Sequence, residues 1–151
     1  MVNIMLDFNI CEVQVSYTPK RRPKDLPEAS SSSAAYDYAL AYWKDIDYCE
    51  SFCIMLLNRS NKVLGIRKIS DGGIAGTLVD VRIIFSTALK GMATSIICLH
   101  NHPSGNLKPS DADLKITRKI RDGGNILDIK VLDHLIISPD GYYSMADNGK
   151  M

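Results

Sequence analysis

The sequence predicts an α/β fold, a mixed β-sheet sandwiched by helices, and three observations lead to it. Apolar runs of strand length recur at 50–57, 94–99 and 129–137. Segments with helical spacing separate them, at 33–44, 80–89 and 110–122. Clusters of Asn, Ser, Gly and Pro punctuate the rest, notably Asn58 to Asn61 and Pro139 to Gly141. Strands and helices that alternate in this way pack as layers around one sheet.

The elements follow in order. Residues 9–17 alternate (Ile10, Val13, Val15, Tyr17) and read as a strand. The Pro-, Lys- and Ser-rich stretch 18–30 reads as a connector, so residues 1–30 form a strand and arm and 31–151 the main domain. Ser31 to Ser33 offer a cap for a helix running to about Lys44, with Ala35, Tyr38, Ala39 and Trp43 on one side. Strand 50–57 turns through Asn58 to Asn61 into a partner at 62–69. Gly72, Gly73 and Gly76 break regular structure before Asp80, the expected N-cap of a helix through Leu89. A buried strand at 93–100 leads into a loop and then into helix 110–122, with Ser110 as its N-cap and Gly123–Gly124 as its stop. Strand 129–137 and a short last strand at 142–144 complete the pattern.

The chemistry concentrates where strand 93–100 ends, in His100, Asn101, His102 and Pro103, followed by Ser110 and Asp113. Residues i and i+2 of a strand face one side, so both imidazoles can address one ion. Pro103 ends the ladder, and Asp113 falls in the first turn of the next helix, within reach through the 103–109 loop. Three nitrogen and oxygen ligands with a fourth position left to water describe a catalytic zinc site, and here they would be His100, His102 and Asp113. Such an ion acidifies its water, and a carboxylate must then carry the proton. Glu50, at the head of an apolar strand, is the candidate general base; Asp45 and Asp47 are poorer ones. The Ser110 hydroxyl is the candidate donor to a developing oxyanion. Plainer readings exist for each part. Ser110 and Asp113 by themselves fit a capping box, and a His-x-His pair alone fits a solvated strand end. The four together, in a strand–loop–helix context, are harder to explain as structure. Cys98 shares the parity of the histidines, but its place inside the strand favours packing; His134 reads as a core imidazole or as a neighbour of the ion.

His100, Asn101, His102, Pro103, Ser104 and Gly105, with Ser110 and Asp113, resemble the RadC family, a bacterial branch of the JAB/MPN metalloprotease superfamily. Its motif is a distant Glu, then H-x-H, then S-x-x-D. The resemblance runs through Gly73, Ile74, Ala75, Gly76 and Thr77 and through 131–136, and covers about residues 35–146. It implies a JAB/MPN, cytidine-deaminase-like architecture. It also implies a zinc-dependent metallopeptidase or isopeptidase that uses zinc-bound hydroxide, with zinc on His100, His102 and Asp113, Glu50 as acid/base and Ser110 as oxyanion donor. Full-length RadC proteins carry an N-terminal helix-hairpin-helix region, and residues 1–30 show no such pattern, so the chain reads as a short form.

Composition bounds the alternatives. Charged residues make up 23% of the 151, and 18 basic against 17 acidic leave a net charge of +1. That balance offers no electrostatic pull toward nucleic acid, although the family name keeps a DNA-repair or DNA-processing accessory as an alternative. A non-catalytic interaction domain is a third reading, opposed by the intact ligand set. The four cysteines sit in or beside apolar segments, and neither a signal peptide nor a membrane-length apolar run is visible, so a reducing cytoplasm is the expected compartment. The expected partner is a protein or peptide substrate, with self-association through residues 1–30 left open.

Overall fold

The computed structural model describes residue 14, residues 16–72 and residues 78–151. Among the described residues five strands form one sheet in the order β2-β1-β3-β4-β5: β1 Ser51–Leu57, β2 Val63–Asp71, β3 Ser95–Asn101, β4 Lys130–Ser138 and β5 Gly141–Ser144. Three α-helices among the described residues accompany it: α1 Ser32–Tyr42, α2 Val81–Lys90 and α3 Asp111–Ile126. The sheet is mixed. β3 runs antiparallel to β1 and parallel to β4, and α3 provides the crossover that a parallel pair requires.

Every residue of β1 and β3 is buried, because these strands are central and covered on both faces. Alternation along them divides the core in two. Cys53, Met55, Leu57, Ile97 and Leu99 pack with Ala35, Ala39 and Trp43 on the α1 side. Phe52, Ile54, Leu56, Ile96 and Cys98 pack with Ile84, Phe85, Ala88 and Ile120 of α2 and α3 on the other. The α/β sandwich read from the sequence is therefore the fold, and His100 continues the α2/α3 side.

The helix starts follow their caps. Ser31 Oγ accepts from Ala34 N at 3.1 Å, and Asp80 accepts from Arg82 N at 2.9 Å. α1 stops at Tyr42 rather than at Lys44, and Trp43 turns into the core in extended geometry. Gly123 and Gly124 do not stop α3, which continues to Ile126. Their role is close packing. A Cβ at Gly124 would lie 2.4 Å from Ile129 O, and one at Gly123 would lie 2.8 Å from the Phe85 ring. The turn out of α3 falls instead at Asp128, in the left-handed region at φ 55°.

Most of the strand expected at 9–17 lies outside the described residues, as do Gly73 to Thr77. The part of the arm that is described runs against the β1–β2 turn. Val63 N donates to Pro27 O at 2.8 Å, Ala29 N donates to Asn61 O at 2.9 Å, and Lys62 pairs with Glu28. Among the described residues no helix is long and apolar enough to cross a membrane.

Candidate metal centre

The site forms at the end of β3, where β1, β3 and the start of α3 meet. Phe52 of β1 stands opposite His100, so continuing the antiparallel register by two residues sets Glu50 opposite His102. His102 lies one residue past β3 but still pairs with β4, its N–H donating to Ile137 O at 3.0 Å. Gly105, at φ 78°, helps the following loop turn back toward the sheet.

Glu50, His100 and His102 each offer one ligand atom, and these atoms lie within 4.8 Å of one another, a group that could hold a metal ion. Glu50 Oε1 is 2.9 Å from His100 Nε2. The Asp113 carboxylate joins them, with Oδ1 3.5 Å from His100 Nε2 and Oδ2 3.6 Å from His102 Nε2. All four sequence-selected charged or imidazole groups thus converge. Asp45 does not, since it pairs with Lys68 at 3.2 Å. Cys98 lies in the α2/α3 core, where burial pushes its thiol far above the ordinary range and keeps it protonated.

The imidazoles are oriented by backbone carbonyls. His100 Nδ1 lies 2.9 Å from Ser51 O, and His102 Nδ1 contacts Asn106 O. A carbonyl can only accept, so each Nδ1 carries a proton and each Nε2 is the nitrogen turned to the centre. Metal-binding histidines are held in this way. Burial lowers the His100 pKa, against the pull of Asp113, so that ring favours its neutral form. His102, more open, is raised, chiefly by its hydrogen bond to Asp113. Burial pushes the Asp113 carboxyl upward, but hydrogen bonds from His102 and from the side chain and backbone of Ser110 outweigh it and hold it well below the usual carboxylate range. Asp113 is an anion at any working pH.

Ser110 is the N-cap of α3 and Asp113 closes a reciprocal capping box on it. Ser110 Oγ accepts from Asp113 N at 3.2 Å and donates to Asp113 Oδ2 at 2.6 Å, while Ser110 N donates to the same oxygen at 2.7 Å. The cap therefore aims the carboxylate, leaving Oδ1 turned toward His100.

Beneath the site, Thr117 Oγ1 donates to Asp113 O at 2.6 Å. Its one hydrogen is thereby used, so His134 Nδ1, also at 2.6 Å, is the donor to Thr117. His134 is fully buried, with its ring 6.3 Å from that of His100, and its Nε2 finds no protein partner. Burial, aided by the nearby His100, drives its pKa down to about 3. Thr117 and Asn101 are the residues that motif reading passed over. Thr117 lies one helical turn after Asp113 on the same face, and Asn101 is a polar residue at the other parity of a buried strand.

Comparison with known proteins agrees with this geometry. A family model described as a RadC-like JAB domain matches residues 29–150. A UPF0758 protein of Flavobacterium johnsoniae is 55% identical over 100 residues, covering 66% of this chain and 44% of the relative. One from Porphyromonas gingivalis is 41% identical over 101 residues, covering 66% and 44%. One from Geotalea uraniireducens is 37% identical over 131 residues, covering 87% and 57%. The chain thus spans about half the length of these curated relatives. A match over most of the chain, on a mixed sheet that gathers the His-x-His, Asp and Glu of the motif at one strand end, places the chain in the RadC-like JAB domain family.

Proposed function

We propose that the protein is a zinc-dependent hydrolase of amide or isopeptide bonds, acting on a protein or peptide. In this reading His100, His102 and Asp113 hold the ion. One observation carries it: both Nε2 atoms face one carboxylate at 3.5 and 3.6 Å. Two ligands about 2.0–2.1 Å from zinc at the tetrahedral angle stand about 3.3 Å apart, so little movement is needed to seat an ion. A His100 ring that burial keeps neutral and a permanently anionic Asp113 are also in the protonation states that such an ion requires. When bound, zinc supplies Lewis acidity and acidifies water.

The remaining residues divide the proton work. Glu50 is the more open carboxylate, its side chain 24% exposed against 9% for Asp113. It is the one able to take a proton from water at Oε1 and return it to a leaving amine. Asp113 is held by Ser110 and two imidazoles, which suits a fixed ligand rather than a shuttle. Ser110 Oγ–H is engaged with Asp113 Oδ2. Rotated away from Asp113, that hydroxyl would donate to a substrate oxyanion.

Zinc should bind at one ion per chain, and His102→Ala should weaken it by more than the roughly 10- to 100-fold that an outer hydrogen-bond partner is worth. Competition with a chelating dye measures this, and undiminished binding in the variant would remove His102 from the ligand set. Ser110→Ala separates two roles. Loss of the cap costs about 1 kcal/mol of stability, whereas loss of an oxyanion donor lowers kcat by roughly 10²- to 10³-fold on the serine-protease scale. We expect both, and a variant that melts earlier yet turns over normally would leave Ser110 as a cap.

The function itself is tested by profiling the zinc-loaded protein against peptide and isopeptide libraries, with His102→Ala as control. Cleavage that chelation abolishes and zinc restores is the expected result. A protein that binds zinc but cuts nothing in the libraries would count against the hydrolase.

A further inference from the structure

We propose that Asn101, the residue between the two histidines, is the positioning residue for Glu50. The proposal rests on the reading of Glu50 as the proton carrier, but its geometric basis is separate. Alternation in β3 sends His100 to the α2/α3 side of the sheet and Asn101 to the opposite side, where Ile97 and Leu99 pack with Trp43 and Ile46. There the chain leaving α1 crosses to the head of β1. Residues 43–50 belong to no helix or strand, so their backbone groups depend on other partners.

Gly72 N donates to Glu50 O at 2.7 Å and Tyr48 N to Asp45 O at 3.2 Å, and Asn101 supplies the partners of Ile46 O and Cys49 O. Its side chain is completely buried, and all its polar atoms are used. Nδ2 donates to Ile46 O at 2.7 Å and to Cys49 O at 2.8 Å, while Oδ1 accepts from Ser51 N at 2.7 Å. Two carbonyls on one end and an N–H on the other fix which way the amide faces. These three bonds straddle Glu50, holding the peptides before and after it. On the far side of the strand, Ser51 O meets His100 Nδ1 and Glu50 Oε1 meets His100 Nε2. One strand turn therefore carries an ion-facing imidazole on each side of the amide that fixes the base. The separation between base and ion is set by backbone geometry rather than by the Glu50 rotamer alone.

Asp at this position keeps the acceptor for Ser51 N but loses both bonds donated to Ile46 O and Cys49 O, and Ala loses all three bonds. A displacement near 1 Å is enough to cost about 10²-fold in turnover, so both variants should lose kcat on that scale while still binding metal.

The test uses the full chain loaded with cobalt(II), comparing Asn101→Ala, Asn101→Asp, Glu50→Gln and the Asn101→Ala/Glu50→Gln double variant. Each should take up one cobalt per chain. In the Asn101 variants the pH midpoint of the cobalt visible spectrum should move in the direction that Glu50→Gln moves it. The Asn101 change should add nothing once Glu50 is Gln. Amides at 46–51 should exchange hydrogen roughly 10- to 100-fold faster, as loss of a buried bond implies. Faster exchange with an unmoved midpoint would make Asn101 a structural clasp only, and a shift that persists in the double variant would show that it acts by another route. Failure of both single variants to fold would likewise assign it to the fold and overturn the proposal. If the parent protein takes no cobalt, the metal reading falls. The positioning is then decided by a crystal structure of Asn101→Ala: loss of the Glu50–His100 contact supports it, and an intact contact overturns it.

Discussion

Glu50→Gln should lower turnover by about 10²- to 10⁴-fold, the range that a positioned general acid–base contributes, while zinc binding and the melting temperature stay close to those of the parent. The amide matches the carboxylate in shape, so it fits the same place beside His100, but it cannot take a proton. Glu50 lies at the rim, 24% exposed at its side chain, and little of the core depends on it. Steady-state kinetics beside a zinc titration separates the outcomes. A variant that turns over normally would move the proton carrier elsewhere. A variant that loses zinc together with activity would make Glu50 a ligand, consistent with the way it clusters with the two histidines.

The second large effect concerns acid. His134 is neutral in the fold down to about pH 3, whereas in the unfolded chain it takes a proton near its ordinary value of 6.5. Between those limits the unfolded state binds more protons, so stability increases with pH and is lost as pH falls below 6.5. At 1.36 kcal/mol per unit, the loss from this group reaches about 3 kcal/mol by pH 4.5 and about 4 kcal/mol near pH 3, where the folded ring begins to titrate as well. Denaturant titrations of the metal-free protein at pH 7 and 4.5, compared with His134→Gln, isolate it from other titrating groups. The variant pays for its lost contact with Thr117 at both pH values, but the acid-dependent part should vanish. Equal acid sensitivity in the two proteins would mean that the buried ring accepts a proton without cost.

The sequence carried the strand parity of His100 and His102, the capping of α3 at Ser110 and the alternation of core strands, because each is a local rule. The convergence of Glu50 on His100 depends on which strands become neighbours, and spacing alone does not fix that. Glu50 was selected by its place at the head of an apolar strand and by the family motif, and its approach to His100 is realised through the β1–β3 register. Gly123 and Gly124 misled for a related reason. Glycine after a helical pattern reads as a stop, but here a neighbouring ring and a carbonyl claim the space that a Cβ would occupy. His134 could not be settled either, since its partner Thr117 is 17 residues away on another element.

The sheet order has a further consequence. β1 and β2 form a hairpin that contains Glu50 at its head, while β3, α3 and β4 form a crossover unit that contains His100, His102 and Asp113. In the proposed assignment the proton carrier and the ion-holding groups belong to different halves of the chain, and they meet along one seam. Cutting the connection between β2 and α2 would leave neither fragment with the whole apparatus. Under that assignment, hydrolysis regained on mixing the two fragments would report their reassociation along β1 and β3.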